Sequence, residues 1–193
     1  MFYEKIKSMT TSLGTGSTVP DFIAGFDATE FFDNPQEGDS LFAIAEDANI
    51  LIFPDTSDVG SGGDGTDVVQ GNGGDDNLQG AGGNDFVFGN DGDDIVRGDE
   101  GDDVIVGGRG SDLAISGPGS DVFEYFADQI IEGEVDILRD FELGFDSIVV
   151  VGSTDVSYDD QSGTLFVDGI KTASLAAGLD VDVLTRTNSS VVF

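Results

Sequence analysis

Residues 62–124 divide without remainder into seven nine-residue units, and no insertion breaks their phase. In every unit the fourth place is glycine, the sixth is aspartate and the eighth is apolar. In order, the units are GGDGTDVVQ, GNGGDDNLQ, GAGGNDFVF, GNDGDDIVR, GDEGDDVIV, GGRGSDLAI and SGPGSDVFE. A period of nine is too short for a helical repeat but is long enough for one turn and one strand.

The composition within each unit predicts a turn over the first six places and a short strand over the last three. Glycine adopts positive φ without penalty, and the second place holds the next most tolerant residues in Asn72, Asn90 and Asp99. Alternation along a strand puts the eighth residue on one face and its neighbours on the other. Two units should therefore form one coil with two turns and two strands, and stacked coils should bury the eighth places between two parallel sheets.

The sixth-place aspartates of successive coils are expected to lie on one edge, about 4.8 Å apart, where their carboxylates repel. Calcium takes six to eight oxygens at about 2.3–2.6 Å, so it fits between two such turns and can also use glycine carbonyls. Pairing the sixth places of alternate units gives three sites on one edge and two on the other, or about five sandwiched ions. The predicted ligands are the carboxylates of Asp67, Asp76, Asp85, Asp94, Asp103, Asp112 and Asp121 and the carbonyls of Gly65, Gly74, Gly83, Gly92, Gly101, Gly110 and Gly119.

These units resemble the repeats-in-toxin, or hemolysin-type calcium-binding, repeats. The resemblance covers residues 62–124 and implies an all-β fold: a right-handed parallel β-roll with an irregular N-terminal cap and a C-terminal β cap. The alternative is a disordered Gly/Asp-rich tract. Disorder does not require an apolar residue at every eighth place, so we expect it to describe the chain only without calcium.

The charge of the chain restricts its partners. There are 39 acidic residues against 7 basic ones, for a net charge of −32. Nucleic acid and anionic membrane surfaces are therefore poor partners, whereas divalent cations are good ones. There is no cysteine for disulfides or thiolate metal sites. No apolar run has the length of a membrane span, and the N-terminus lacks the apolar segment of a conventional secretory signal.

The flanks of the repeats predict three further segments: a flexible lead over 1–20, an N-terminal cap with degenerate coils over 21–61, and a C-terminal β cap over 125–193. The apolar residues between Phe22 and Phe32 are expected to pack in a core, with a partner-binding helix as the alternative. Three short stretches before the repeats have the spacing of the sixth and eighth places of a unit: Asp39-Ser-Leu41, Asn49-Ile-Leu51 and Asp58-Val-Gly60. Asp58 precedes Asp76 by two units, which predicts a weaker additional calcium site.

The resemblance extends to DILRDFELGFDSIVVVG, which begins at Asp136. It implies one further ion held by Asp136, Asp140 and Asp146, with solvated surface carboxylates as the alternative. Thr164 to Leu175 predicts a hairpin around Asp168-Gly169, a pair that favours a two-residue turn. The ending LTRTNSSVVF is similar to the uncleaved export signal of this family, which is read by a one-step secretion apparatus. An ordinary final strand is the alternative.

Several enzyme classes lack their residues here. The chain has no histidine, which removes the Ser-His-Asp, Cys-His and HExxH arrangements. It has no GxSxG elbow and no GxxxxGK[ST] nucleotide loop. Carboxylate pairs suited to a glycosidase are expected by chance among 39 acidic residues. The sequence therefore favours a protein that is not an enzyme.

The leading interpretation is a secreted calcium-binding repeat protein that calcium folds outside the cell, with a structural or adhesive role at a cell surface or in a matrix. The alternative is the C-terminal calcium-binding and secretion module of a larger exported enzyme, such as a protease, lipase or alginate epimerase. An ice-binding solenoid would need ranks of threonine at the seventh and ninth places, and these are absent.

One outward face is more apolar than exposure to water favours. In units one, three, five and seven, six of the eight seventh- and ninth-place residues are apolar. We call Phe86, Phe88, Val104 and Val106 the outer stripe. We expect it to be covered within the molecule, by residues 22–32 or by the strands after Asp136, and a second chain is the alternative cover.

Overall fold

A computed structural model describes residues 41–44, 48–153, 155–175, 184–186 and 190–192, with only the backbone of 41–44, 184–186 and 190–192. The regular structure of these residues is β-strand throughout. The strands are β1 (Leu41–Ile44), β2 (Asn49–Ile52), β3 (Val59–Asp64), β4 (Val68–Gly73), β5 (Asn77–Gly82), β6 (Phe86–Asp91), β7 (Ile95–Glu100), β8 (Val104–Arg109), β9 (Leu113–Ile115), β10 (Val122–Phe126), β11 (Asp136–Arg139), β12 (Ser147–Val151), β13 (Val156–Asp159), β14 (Thr164–Val167), β15 (Ile170–Ser174), β16 (Leu184–Arg186) and β17 (Ser190–Val192). No helix in this part of the chain is long and apolar enough to cross a membrane.

From β2 to β13, successive strands alternate between two sheets. One sheet has the order β1-β2-β4-β6-β8-β10-β12 and the other has β13-β14-β15-β11-β9-β7-β5-β3, while β16 and β17 form a separate pair. From β2 to β12 in the first sheet, and from β3 to β11 and β15 in the second, neighbouring strands are parallel. The fold is the predicted all-β parallel β-roll.

The register within the repeats is two units. Val69 pairs with Val87 and Val87 with Ile105, while Leu78 pairs with Val96 in the other sheet. The eighth-place side chains are at most 3% exposed and form the core between the sheets. This confirms the two-unit coil and the buried eighth place.

The strands are longer than the sequence predicted. Those of the first five repeats run from the seventh place of one unit to the third place of the next, so only places four to six form the turn. The prediction of a strand confined to the last three places was wrong, because the backbone at places two and three also pairs: Asn72 with Asn90 and Gly73 with Asp91. Every second-place residue has positive φ, between 71° and 119°. That conformation explains the Gly, Asn and Asp residues there, and Ala81 at φ 89° is the exception.

The parallel stacking continues beyond the regular repeats on the N-terminal side. Leu51 pairs with Val69 and Gly60 with Leu78, both at the same two-unit register. Asn49 and Asp58 therefore do occupy the sixth places of degenerate units. The prediction that Leu41 occupies an eighth place was wrong, because β1 is antiparallel to β2 and Leu41 pairs with Ile52. Within the described residues, the antiparallel strand β1 ends the parallel stacking of the first sheet.

On the C-terminal side the roll continues past residue 124. Leu138 of β11 pairs with Ala114, and Ile148 of β12 pairs with Phe123, so these last coils are longer than the two-unit coils of the repeats. The hairpin of β14 and β15 is confirmed, and its turn residues Asp168 and Gly169 have φ of 52° and 77°. β16 and β17 pair with each other in the final segment.

The outer stripe is only partly exposed to water. Val106 is buried at 5% exposure, and Phe86, Phe88 and Val104 are half-buried. Residues 1–40, which include the lead and the aromatic segment 22–32, lie outside the described residues. The covering of the outer stripe within the molecule therefore stays a prediction.

Candidate metal centre

The roll places the sixth-place aspartates in two buried columns. Each of the seven is at most 3% exposed. In each pair two units apart, the later carboxylate accepts a hydrogen bond at its Oδ1 from the backbone N–H of the earlier residue. The N···O distances are 2.8 Å from Asp67 to Asp85, 2.7 Å from Asp76 to Asp94, 2.8 Å from Asp85 to Asp103, 2.9 Å from Asp94 to Asp112 and 2.8 Å from Asp103 to Asp121. The two predicted edges are therefore the ones that form.

The second carboxylate oxygen is buried without a hydrogen-bond partner in all seven aspartates. These atoms are the Oδ2 of Asp67, Asp76, Asp85, Asp94, Asp103, Asp112 and Asp121. A buried polar atom that lacks a hydrogen bond costs about 1–3 kcal/mol, and a charged one costs more. Seven such atoms at equivalent places of one repeat require a shared compensating group: a proton or a cation.

In six of the seven units this oxygen faces the glycine at the first place of its own unit. A Cβ added at Gly89 would lie 2.2 Å from Asp94 Oδ2 and 2.6 Å from the carbonyl oxygen of Gly107. The same two kinds of oxygen surround Gly62, Gly71 and Gly98, at 2.0–2.4 Å and 2.6–2.8 Å. The carboxylate oxygen therefore converges with the carbonyl oxygen of the first place two units later. An ionised carboxylate oxygen and a carbonyl oxygen can both only accept hydrogen bonds, so the pair suits a cation when the aspartate is ionised.

The first-place residues were missed by the sequence reasoning, which assigned the carbonyl ligands to the fourth place. A Cβ on Gly101 would lie 1.7 Å from the carbonyl oxygen of Gly83, so the fourth-place carbonyls point towards the fourth place of the next coil. Their role as ligands stays a prediction. The first place is glycine in six of the seven units and the fourth in all seven, so the sequence alone did not distinguish them.

A second, exposed ladder of hydrogen bonds, which links the fifth places of successive coils, was also not predicted from the sequence. Fifth-place side chains accept hydrogen bonds from the backbone N–H of the fifth-place residue one coil later. Examples are Asp75 to Asp93 at 3.0 Å, Asn84 to Asp102 at 3.0 Å and Asp93 to Ser111 at 2.8 Å. The Asp, Asn, Ser and Thr residues at every fifth place were its signal. This ladder stabilises the turns without using the buried carboxylates.

Burial dominates the electrostatics of the columns. It raises the pKa of Asp76, Asp85, Asp94, Asp103 and Asp121 to about 6, and repulsion from neighbouring carboxylates adds to the rise, while the backbone hydrogen bond opposes it. The pKa of Asp67 is also raised, chiefly by burial. For Asp112, burial followed by repulsion from Asp136 raises the pKa to about 8. Without a cation, the folded roll thus holds protons that the unfolded chain releases.

These shifts predict that the metal-free roll loses stability as pH rises. The folded-state pKa values of about 6 to 8 exceed the ordinary value of 3.8, so this contribution is complete below pH 3.8 and is lost as pH rises through 6 to 8. In chelator, circular dichroism should show more β structure at about pH 5 than at about pH 7.5. Calcium binding should need more calcium at the lower pH, because protons compete for the carboxylates. If the stability in chelator instead increased with pH, the prediction that burial raises the pKa of these carboxyl groups would be contradicted.

The three further predicted ligands, Asp136, Asp140 and Asp146, do not form one site. Asp136 accepts a hydrogen bond from Asp112 N–H at 2.9 Å, whereas Asp146 accepts one from Asp121 N–H at 3.1 Å, so the two lie on opposite edges. Asp140 is exposed and accepts a hydrogen bond from Ser116. A single ion held by all three was therefore wrong.

Asp58 does join the column of Asp76. Its backbone N–H donates to Asp76 Oδ1 at 2.7 Å, as the sixth-place residues of the repeats do. Its own Oδ2, however, accepts a hydrogen bond from the Thr56 hydroxyl at 3.0 Å. A weaker ion between Asp58 and Asp76 stays a prediction.

The donor set fits calcium. It consists of carboxylate and carbonyl oxygens, which calcium accepts in flexible geometry, whereas magnesium requires a near-ideal octahedron and retains water. Within the described residues, no three His, Cys, Asp or Glu side chains cluster as a metal site. That agrees with a roll in which carboxylates are spaced singly along each column and carbonyls complete the oxygen set.

Comparison with known proteins gives one finding. Residues 61–96 and 88–123 match the family model described as RTX calcium-binding nonapeptide repeat (4 copies). Together the two matches span residues 61–123, about a third of the 193 residues. They confirm the resemblance of this segment, whose repeats are calcium-binding RTX repeats. No curated protein matches the chain.

Proposed function

We propose that this protein, whose residues 61–123 are RTX calcium-binding repeats, is exported unfolded and folded outside the cell by calcium. The observation that carries the proposal is the set of seven buried Oδ2 atoms without a hydrogen-bond partner. In this proposal the ions lie between successive coils, on the pairs Asp67–Asp85, Asp85–Asp103 and Asp103–Asp121 and, on the other edge, Asp76–Asp94 and Asp94–Asp112. The carbonyls of the first-place residues would supply further oxygens.

Calcium would supply folding free energy because only the folded state brings its ligands together. A ligand that binds the folded state alone stabilises it by an amount that grows with ligand concentration. The chain needs such a contribution, since its net charge of −32 opposes a compact state. Neutralising the two columns removes this repulsion where the carboxylates are closest.

The same dependence suits a protein that crosses a membrane unfolded. Free calcium in the cytosol is low, so the repeats would stay unfolded and able to pass through a one-step secretion apparatus. RTX repeat proteins are typically secreted, which supports this location. Outside the cell the filled roll would act as a structural or adhesive component of a surface or matrix. The missing histidine favours a role without catalysis.

A calcium titration followed by circular dichroism tests the proposal. In chelator at about pH 7.5 the chain should show little β structure, and it should gain that structure cooperatively as free calcium reaches the millimolar range typical of extracellular modules. Magnesium at the same concentration and ionic strength is the control, and it should not substitute. An unchanged spectrum on adding calcium, or an equal response to magnesium, would overturn the proposal.

A further inference from the structure

The coil before the first regular repeat carries an amide where the repeats carry a carboxylate. Asn49 occupies its sixth place, because Leu51 pairs with Val69 and Asn49 N–H donates to Asp67 Oδ1. The side-chain Nδ2 of Asn49 donates to the carbonyl oxygen of Gly62 at 2.8 Å. That carbonyl only accepts hydrogen bonds, so the contact through the amide nitrogen satisfies both groups.

This hydrogen bond replaces the oxygen pair seen in the later coils. Gly62 stands in the same relation to Asn49 as Gly80 does to Asp67 and Gly107 does to Asp94. In those later coils the facing atoms are both acceptors, a carboxylate Oδ2 and a carbonyl oxygen, and the Oδ2 has no hydrogen-bond partner. At Asn49 a donor and an acceptor meet, so no cation is required between them.

We infer that Asn49 ends the calcium column that begins at Asp67, and that the identity of this one residue sets the number of ions on that edge. The inference rests on the proposed calcium binding. The Asn49 Oδ1 is buried and has no hydrogen-bond partner. A carboxylate in place of the amide would therefore present two oxygens without donors beside the Gly62 carbonyl. These are the elements of one more site.

At the C-terminal end of each column, too, hydrogen bonds from the chain satisfy the last carboxylate. Asp146 accepts from Asp121 N–H at Oδ1, and its Oδ2 accepts from the backbone N–H of Glu142 at 2.7 Å. Asp136 accepts from Asp112 N–H and also bonds the Tyr125 hydroxyl. In each case a protein donor satisfies the carboxylate at the last coil. The columns are thus bounded by hydrogen bonds from the chain itself.

The decisive variant is Asn49→Asp, with the number of bound calcium ions measured by equilibrium dialysis and native mass spectrometry at saturating calcium. It should bind one ion more than the unsubstituted protein. The matched control is Asn84→Asp at an exposed fifth place, where Asp75, Asp93 and Asp102 already stand in equivalent positions. The control should bind the same number of ions as the unsubstituted protein. An unchanged count for Asn49→Asp would overturn the inference.

The reverse substitution keeps the test decisive even where Asn49→Asp does not fold. Asp67→Asn and Asp67→Ala should each lose one ion. Asp67→Asn should nevertheless be the more stable of the two in calcium, because its amide can donate to the Gly80 carbonyl and its Oδ1 can still accept from Asn49 N–H. Equal midpoints of urea unfolding for the two variants would contradict the inference. Failure of the unsubstituted protein to bind calcium would instead reject the proposed function, and the inference with it.

Discussion

Asp94→Ala is expected to lose two calcium ions, whereas Asp67→Ala loses one. Asp94 lies in the middle of its column, and its carboxylate is shared between the pair with Asp76 and the pair with Asp112. Asp67 is the first aspartate of its column and takes part in one sandwiched pair, with Asp85. Equilibrium dialysis with radioactive calcium gives the two counts directly.

The same comparison predicts the stability difference. An ion bound at a concentration about 100 times its Kd stabilises the folded state by about 2.7 kcal/mol, so two ions contribute roughly 5 kcal/mol. Each variant also removes one acceptor of a backbone hydrogen bond, from Asp76 N–H or from Asn49 N–H. That loss therefore largely cancels between them. Equal losses of ions from the two variants would contradict the sharing of Asp94.

Gly89→Ala is expected to disable the Asp94 sites although it changes no ligand side chain. The new methyl group would lie 2.2 Å from Asp94 Oδ2 and 2.6 Å from the Gly107 carbonyl oxygen, so the carboxylate must move away. Overpacking of this kind costs about 1–3 kcal/mol, to which the lost ions add. The variant should bind fewer ions and unfold at lower urea than the unsubstituted protein at the same calcium concentration.

Gly82→Ala is the control for this substitution. Its Cβ would meet nothing closer than Asp64 Oδ1 at 3.7 Å, and Gly82 is not among the residues with positive φ. It lies on β5 of the same roll, so it tests whether any added methyl group is harmful. Its ion count should be unchanged. If both variants lost ions equally, the first-place glycines would have no special relation to the carboxylates.

The periodic part of the fold was predictable because a strand has only two faces. An apolar residue at every eighth place fixes which face is buried, and two units per coil then fix which residues pair. The burial of Val69, Leu78 and Val87 and the pairing of Val69 with Val87 follow from this alone. The tight turn at Asp168-Gly169 was predictable for a similar reason, since both residues tolerate positive φ.

The carbonyl partners were not predictable from the pattern. Glycine dominates both the first and the fourth places, and only the backbone path shows that the first-place carbonyl meets the carboxylate. The length of the strands was underestimated because second-place residues that tolerate positive φ, such as Asn72, are typical of turns. Asn72 does have positive φ, but it and its neighbours remain paired with the next strand. Glycine therefore marks a bend within the strand as well as a turn.

The ends of the roll were predicted only in part, because end coils break the periodic rule. Asn49 and Asp58 were recognised as sixth-place residues from their spacing. The antiparallel pairing of Leu41 with Ile52 was not, since residue composition does not give strand direction. Likewise Asp136 and Asp146 are close in sequence, but they face opposite edges because β11 and β12 belong to different sheets.

The most direct test of calcium-driven folding is the dependence of the folding free energy on free calcium. For a ligand bound only by the folded state, the slope of this free energy against the logarithm of calcium concentration gives the number of ions taken up on folding. Urea unfolding at a series of buffered calcium concentrations supplies that slope. The five sandwiched pairs predict a slope of about five ions or more at saturating calcium. A slope of zero, or the same slope in magnesium, would contradict the account.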